Sequence, residues 1–156
     1  MSQTLRGIFV NQSRVVLGIN RKTLGIGIKH IKNVHKYIRK EDIPEHTLFV
    51  IITDGYENAS HKYSSNEVKK MIEKQKKEKN WEFLFIGANI DAIETAKHYG
   101  IDRDYAFNYN GDAIGSAIVY NSISEKLTKT RACGKNKKSS NECFDDITND
   151  YENRKV

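Results

Sequence analysis

Residues 47–55 read TLFVIITDG, the strongest strand signal in the chain. From Thr47 to Thr53 it is apolar on both faces and rich in β-formers, as a strand buried on both sides of a parallel sheet must be. Asp54-Gly55 then stops it abruptly. Trp81 to Gly87 (WEFLFIG) reads as a second buried strand ended by glycine, and Tyr105 to Tyr109 (YAFNY) as a weaker third.

Helical patterns separate these strands. Leu24 to Lys40 places Ile28, Ile31, Val34, His35 and Ile38 on one face, and Pro44 follows beyond the end. Ser64 and Glu67 have the spacing of a capping box. The helix they open has Val68, Met71, Ile72 and Gln75 on its buried side and the lysines from Lys69 to Lys79 on its wet side. Asp91 to Tyr99 forms a short helix closed by Gly100. Asp112 to Thr130 forms a longer one, its predicted stripe being Ile114, Ala117, Ile118, Ser122 and Leu127. Such alternation predicts an α/β fold of parallel strands joined by right-handed crossovers. In open α/β sheets ligands bind at the carboxyl ends of strands, here Thr53-Asp54-Gly55 and Gly87-Ala88-Asn89.

The 156 residues are one domain's worth of chain, 38% hydrophobic and 29% charged, which is polar without being disordered by composition. There is no apolar run of membrane-spanning length, and Met1 to Val10 lacks the pattern of a signal peptide, so a cytoplasmic protein is expected. The net charge of +6 comes from lysines interleaved with acids, which reads as solvated surface; neither nucleic acid nor membrane is an expected partner. Gly134 to Val156 reads as a flexible polar tail with one short turn near Phe144. Cys133 and Cys143 form neither a disulfide framework nor a zinc knuckle, and read as exposed, unpaired and without a role.

Other chemical signals are weak. Among the scattered histidines, His30 and His35 miss the i, i+4 spacing of a helical metal pair. Ser60 and Ser64 have no identifiable base. Gly25-x-Gly27 lies inside a helical pattern and is no dinucleotide fingerprint, and no phosphate-binding glycine loop follows any strand.

Residues 49–60, FVIITDGYENAS, followed by residues 81–92, WEFLFIGANIDA, resemble the von Willebrand factor type A domain, and more narrowly its small bacterial and phage members. The resemblance runs roughly from Leu24 to Ala132. It implies a Rossmann-like, three-layer, doubly wound sheet with a metal-ion-dependent adhesion site, where Mg²⁺ or Mn²⁺ at the carboxyl edge is completed by a partner's carboxylate. Such domains mostly bind proteins and are not usually enzymes.

Of the family's metal ligands only Asp54 carries over, in the Ile-Thr-Asp-Gly ending of the strand. The Asp-x-Ser-x-Ser motif of the family's first strand occurs nowhere in the chain. Residues 13–22, SRVVLGINRK, lack the pattern of the second loop, and Thr23 stands too near Gly25 to replace it. A degraded or absent metal site is therefore expected, with no resident cofactor. Any Mg²⁺ or Mn²⁺ would be held by Asp54 through water.

The expected organisation is a divergent segment over 1–23, a partial, truncated domain of this type over 24–132, and the tail over 133–156. Loss of the family's first strand bares an apolar sheet edge that invites self-association. Arg6–Val10 and Arg14–Ile19 are β-compatible and can cover it as a hairpin. The expected function is a non-enzymatic protein-interaction module whose partner-facing rim is Thr53, Gly55 and Asn58 around Asp54. The alternative is a truncated or frame-disrupted remnant without selected activity.

Overall fold

A computed structural model of the chain describes residues 7–10, 13–18, 21–55, 62–133 and 139–155. In chain order the elements are β1 (Gly7–Val10), β2 (Ser13–Gly18), α1 (Arg21–Tyr37), β3 (His46–Thr53), α2 (Ser65–Lys79), β4 (Glu82–Gly87), α3 (Ala92–His98), β5 (Ala106–Asn108), α4 (Ala113–Ala132) and α5 (Asp145–Arg154). Short 3₁₀ turns lie at Lys40–Asp42, Arg103–Tyr105 and Glu142–Phe144.

The sheet order is β1-β2-β3-β4-β5. β1 and β2 are an antiparallel hairpin, and β2 then pairs parallel with β3, with Leu17 opposite Val50. β3 and β4 are parallel with Val50 opposite Leu84, and β5 is parallel to β4. The fold is thus α/β, a Rossmann-like three-layer arrangement around a mostly parallel sheet.

Successive parallel strands that advance in one direction place right-handed crossovers on one face. The packing follows. Phe49, Ile51, Phe83 and Phe85 bury against Leu24 and Ile28 of α1, Val68 and Ile72 of α2, and Ala92 and Ala96 of α3. The alternate residues, Leu48, Val50, Leu84 and Ile86, face Val119 and Ile123 of α4 and Phe144 and Ile147. Period-two alternation along β3 and β4 therefore feeds two separate cores. The strand order does not reverse among the described strands; the second helical layer comes from α4 and α5, after the sheet is complete.

Local chemistry fixes the crossover helices. Ser64 Oγ accepts from Glu67 N at 3.2 Å, and Glu67 Oε2 accepts from Ser64 N at 2.7 Å, closing the capping box of α2. Asp91 Oδ1 caps α3 by accepting from Glu94 N at 3.0 Å. Gly100, at φ +70°, ends that segment in the left-handed region.

Two sequence expectations require correction. The buried face of α4 carries Gly115, Val119, Ser122, Ile123, Lys126 and Thr130, while Ile114 is 60% exposed. Apolar residues lie all round this helix, so periodicity marks no face. What sets its rotation is the close approach of Gly115 to Asn110 and the polar partners of Lys126.

The second correction concerns the tail. Residues 139–155 pack against the body: Phe144 is fully buried, with Cys143 and Ile147 nearly so. They cover an otherwise bare apolar face of the sheet. Cys143 is accordingly buried, not exposed, while Cys133 is half-buried; both are free thiols.

Candidate functional site

The carboxyl edge of the parallel strands is built by backbone stitching beyond the strand ends. Ala88 N donates to Thr53 O at 2.8 Å, and Tyr109 N donates to Gly87 O at 3.0 Å. The turns after β3, β4 and β5 thereby hold one another at a common level. Asn108 Oδ1 accepts from Ala92 N at 2.9 Å, pinning the start of α3 to the end of β5.

Thr53, Asp54 and Gly55 sit on this rim. Thr53 Oγ1 donates to Gly55 O at 3.0 Å, which curls the chain back at the end of β3. Asn89 adopts φ 58°, a region that Asn tolerates better than most residues, and its Nδ2 donates to Asp54 O at 3.4 Å. The backbone of Asp54 is thus held from the β4 turn while its side chain is exposed. Asn58 lies outside the described residues.

Tyr109 adds a group that the sequence reading did not assign to the site. It is 8% exposed, and its phenol is pushed above the ordinary tyrosine value, first by burial and then by the negative charge of Asp54. A protonated phenol therefore stands near the Asp54 carboxylate at neutral pH. Its sequence signal was its place at the end of the weak third strand; in the structure it directly follows β5, one residue past Asn108, which pairs with Gly87.

Beside the rim lies a cavity of about 430 Å³. Leu24 and Phe85 supply part of its apolar lining, and Thr53, Gly55, Asp91 and His98 part of its polar lining. Arg21, at the start of α1, also borders it and donates from Nη1 to Ser65 Oγ at 3.4 Å. The cavity thus separates Asp54's turn from α3.

Hard divalent cations take several oxygen ligands, and among the described residues no three His, Cys, Asp or Glu side chains come together. Among the described residues no helix is long and apolar enough to cross a membrane. No family model, curated protein or solved structure matches the chain.

Proposed function

We propose that this chain is a cytoplasmic, non-enzymatic protein-interaction module on the von Willebrand factor type A plan, with a degraded or absent metal-ion-dependent adhesion site. The observation that carries this reading is the exposed carboxylate of Asp54 on a backbone-stitched rim at the carboxyl edge of the parallel strands. The parallel pairing of β2 with β3, the strand ending in Thr53-Asp54-Gly55, supports this reading. Its carboxyl end continues as Gly18-Ile19-Asn20, which offers no carboxylate where the family motif begins with one.

An exposed acid without its metal partners suits direct pairing with a basic side chain of a protein partner. Thr53 and Gly55 shape that turn, and Asn58 belongs to the same loop in sequence. The test is retention of partner proteins on the immobilised chain, compared with Asp54→Ala, in chelator and again in excess Mg²⁺ or Mn²⁺. A specific partner lost on Asp54→Ala and indifferent to metal supports the reading. Metal-dependent retention argues for an intact ion site. A chain that retains nothing and melts without cooperativity argues for the remnant.

A further inference from the structure

The lysines of this chain are not spread evenly over the folded surface. α1 carries Arg21, Lys22, Lys29, Lys32 and Lys36 and no acid over 17 residues. The segment 139–155, in the opposite helical layer, carries Glu142, Asp145, Asp146, Asp150 and Glu152 against only Arg154 and Lys155. Charge is thus segregated between α1 and that segment, while α2 keeps Glu67, Glu73 and Glu78 among its lysines, with Lys74 Nζ 3.8 Å from Glu78 Oε1.

On α1, Lys29, Lys32 and Lys36 stand at i, i+3 and i+7, one stripe along the helix. On α2, Lys70, Lys74 and Lys77 stand at i, i+4 and i+7, a second stripe. All six are exposed. The helices are neighbours: Lys29 and Lys70 both act on the Glu67 carboxylate, and Lys29 Nζ lies 4.9 Å from the centre of the Tyr63 ring that precedes α2. At the far end His35 of α1 meets Trp81, just past α2, edge-on at 5.6 Å.

Both helices run back from the carboxyl edge to the amino edge of the sheet. Their C-terminal halves therefore share the end opposite Asp54. There Tyr37 stands 79% exposed beside Lys36, whose Nζ is 5.4 Å from its ring centre. Lysines in a last helical turn complement the helix dipole, which accounts for Lys36 and Lys77 but not for Lys29, Lys32 or Lys70.

We propose that the α1–α2 face binds single-stranded nucleic acid, with the two lysine stripes tracking the phosphates and Tyr37 offering a ring on which a base stacks. The absence of any acid on α1 favours a polyanion, and the bare aromatic beside the lysines favours one with exposed bases. This surface is distinct from the Asp54 rim and stands whether or not that rim binds a protein.

The experiment is fluorescence anisotropy of a short labelled oligothymidylate with the full chain, over a salt series from about 50 to 200 mM. Neutralising about five phosphates gives a log–log salt slope near −3.5 for a single strand. The quadruple variant Lys32→Gln, Lys36→Gln, Lys70→Gln, Lys77→Gln should weaken binding and flatten the slope by about 0.7 per lysine removed. Tyr37→Ala should weaken it about fivefold or more. Tyr120→Ala, which removes an exposed ring from α4 in the opposite helical layer, should leave it unchanged. All substituted lysines are exposed, and a thermal melt checks that each variant remains folded. No binding at the lowest salt overturns the proposal, as does a quadruple variant with unchanged affinity and slope. Equal affinity for a duplex, or displacement by polyglutamate at matched charge, also overturns it and assigns the face to another polyanion.

Discussion

Lys126 Nζ lies 2.6 Å from Glu82 Oε1, with the lysine side chain fully enclosed and the glutamate 10% exposed. The ammonium also donates to Ser139 O and Asn141 Oδ1, each at 2.8 Å. One buried cation thus joins the first residue of β4, the middle of α4 and the chain leading into α5. Thr130 Oγ1 and Ser139 Oγ, 2.9 Å apart, add a second clasp one turn further along α4. These contacts hold the polar segment 139–155 in register, so that Phe144 and Ile147 reach the sheet.

Lys126→Met keeps an unbranched side chain, one heavy atom shorter, and removes its charge. It leaves the Glu82 carboxylate buried without its cation and strips donors from two acceptors. The expected cost is about 3–5 kcal/mol in a chemical denaturation experiment. Adding Glu82→Leu to that variant should restore a large part of the loss, because the uncompensated charge is what costs most. A double variant no more stable than Lys126→Met would mean that the lysine's own hydrogen bonds, not the carboxylate, carry the effect.

This ion pair also marks where sequence reasoning stopped. β3 was legible because a short apolar run rich in β-branched residues and stopped by Asp54-Gly55 reads as a strand buried on both faces, and α2 because Ser64 and Glu67 announce its start. α4 was legible as a helix over residues 112–130, but its buried face was not, since Ile114, Ile118, Ile123 and Leu127 point in different directions and the buried stripe runs through a lysine. Residues 139–155 were not, since Cys143, Phe144 and Ile147 are the few apolar anchors in a polar run, and burial there depends on partners far away in sequence. At the rim, Asp54 was found by the rule that sites lie at carboxyl ends of strands. Tyr109 and the φ 58° of Asn89 arise only when the turns after β3, β4 and β5 are brought to one level.

Gly115 provides a sharp steric test. A Cβ built there would lie 1.9 Å from Asn110 O, a backbone atom that cannot swing away. The same turn is held by Gly115 N donating to Asp112 Oδ1 at 2.7 Å. Gly115→Ala should therefore cost about 3 kcal/mol or more, since the start of α4 must move off the β5 turn. Gly55→Ala is the control, because its Cβ meets nothing within 4 Å among the described residues, and its effect should stay within about 0.5 kcal/mol. Equal melting temperatures for the two variants would contradict the close approach.

Arg154 ties the end of α5 to the start of α4. Its guanidinium donates to both Asp112 and Asp150, and Asn110 Nδ2 donates to Asp150 Oδ2 at 3.0 Å. Hydrogen bonds from Arg154 hold both carboxyls below their ordinary value of 3.8. A carboxyl lowered by folding stabilises the fold above its unfolded value and loses that contribution as pH falls through its folded one. Thermal stability from this cluster should thus be level from neutral pH to about 5 and decline below about 4. Arg154→Gln should lower stability on the plateau and flatten the decline. An unchanged acid limb in that variant would show that other carboxylates govern it.

The Asp54–Tyr109 relationship can be read directly at the candidate site. Burial comes first in raising the Tyr109 phenol, and the Asp54 carboxylate adds to it by opposing a second negative charge nearby. Asp54→Asn keeps the shape of the turn and removes that charge. The phenol should then ionise at lower pH than in the wild type, yet still above the ordinary value of 10.0, because burial is untouched. Ring-labelled tyrosine followed by NMR through the alkaline range, with Tyr109→Phe to assign the signal, measures this at one residue. A Tyr109 titration that ignores Asp54→Asn would mean that the carboxylate turns away from the phenol. The rim would then present the Asp54 charge alone, without a protonated phenol beside it.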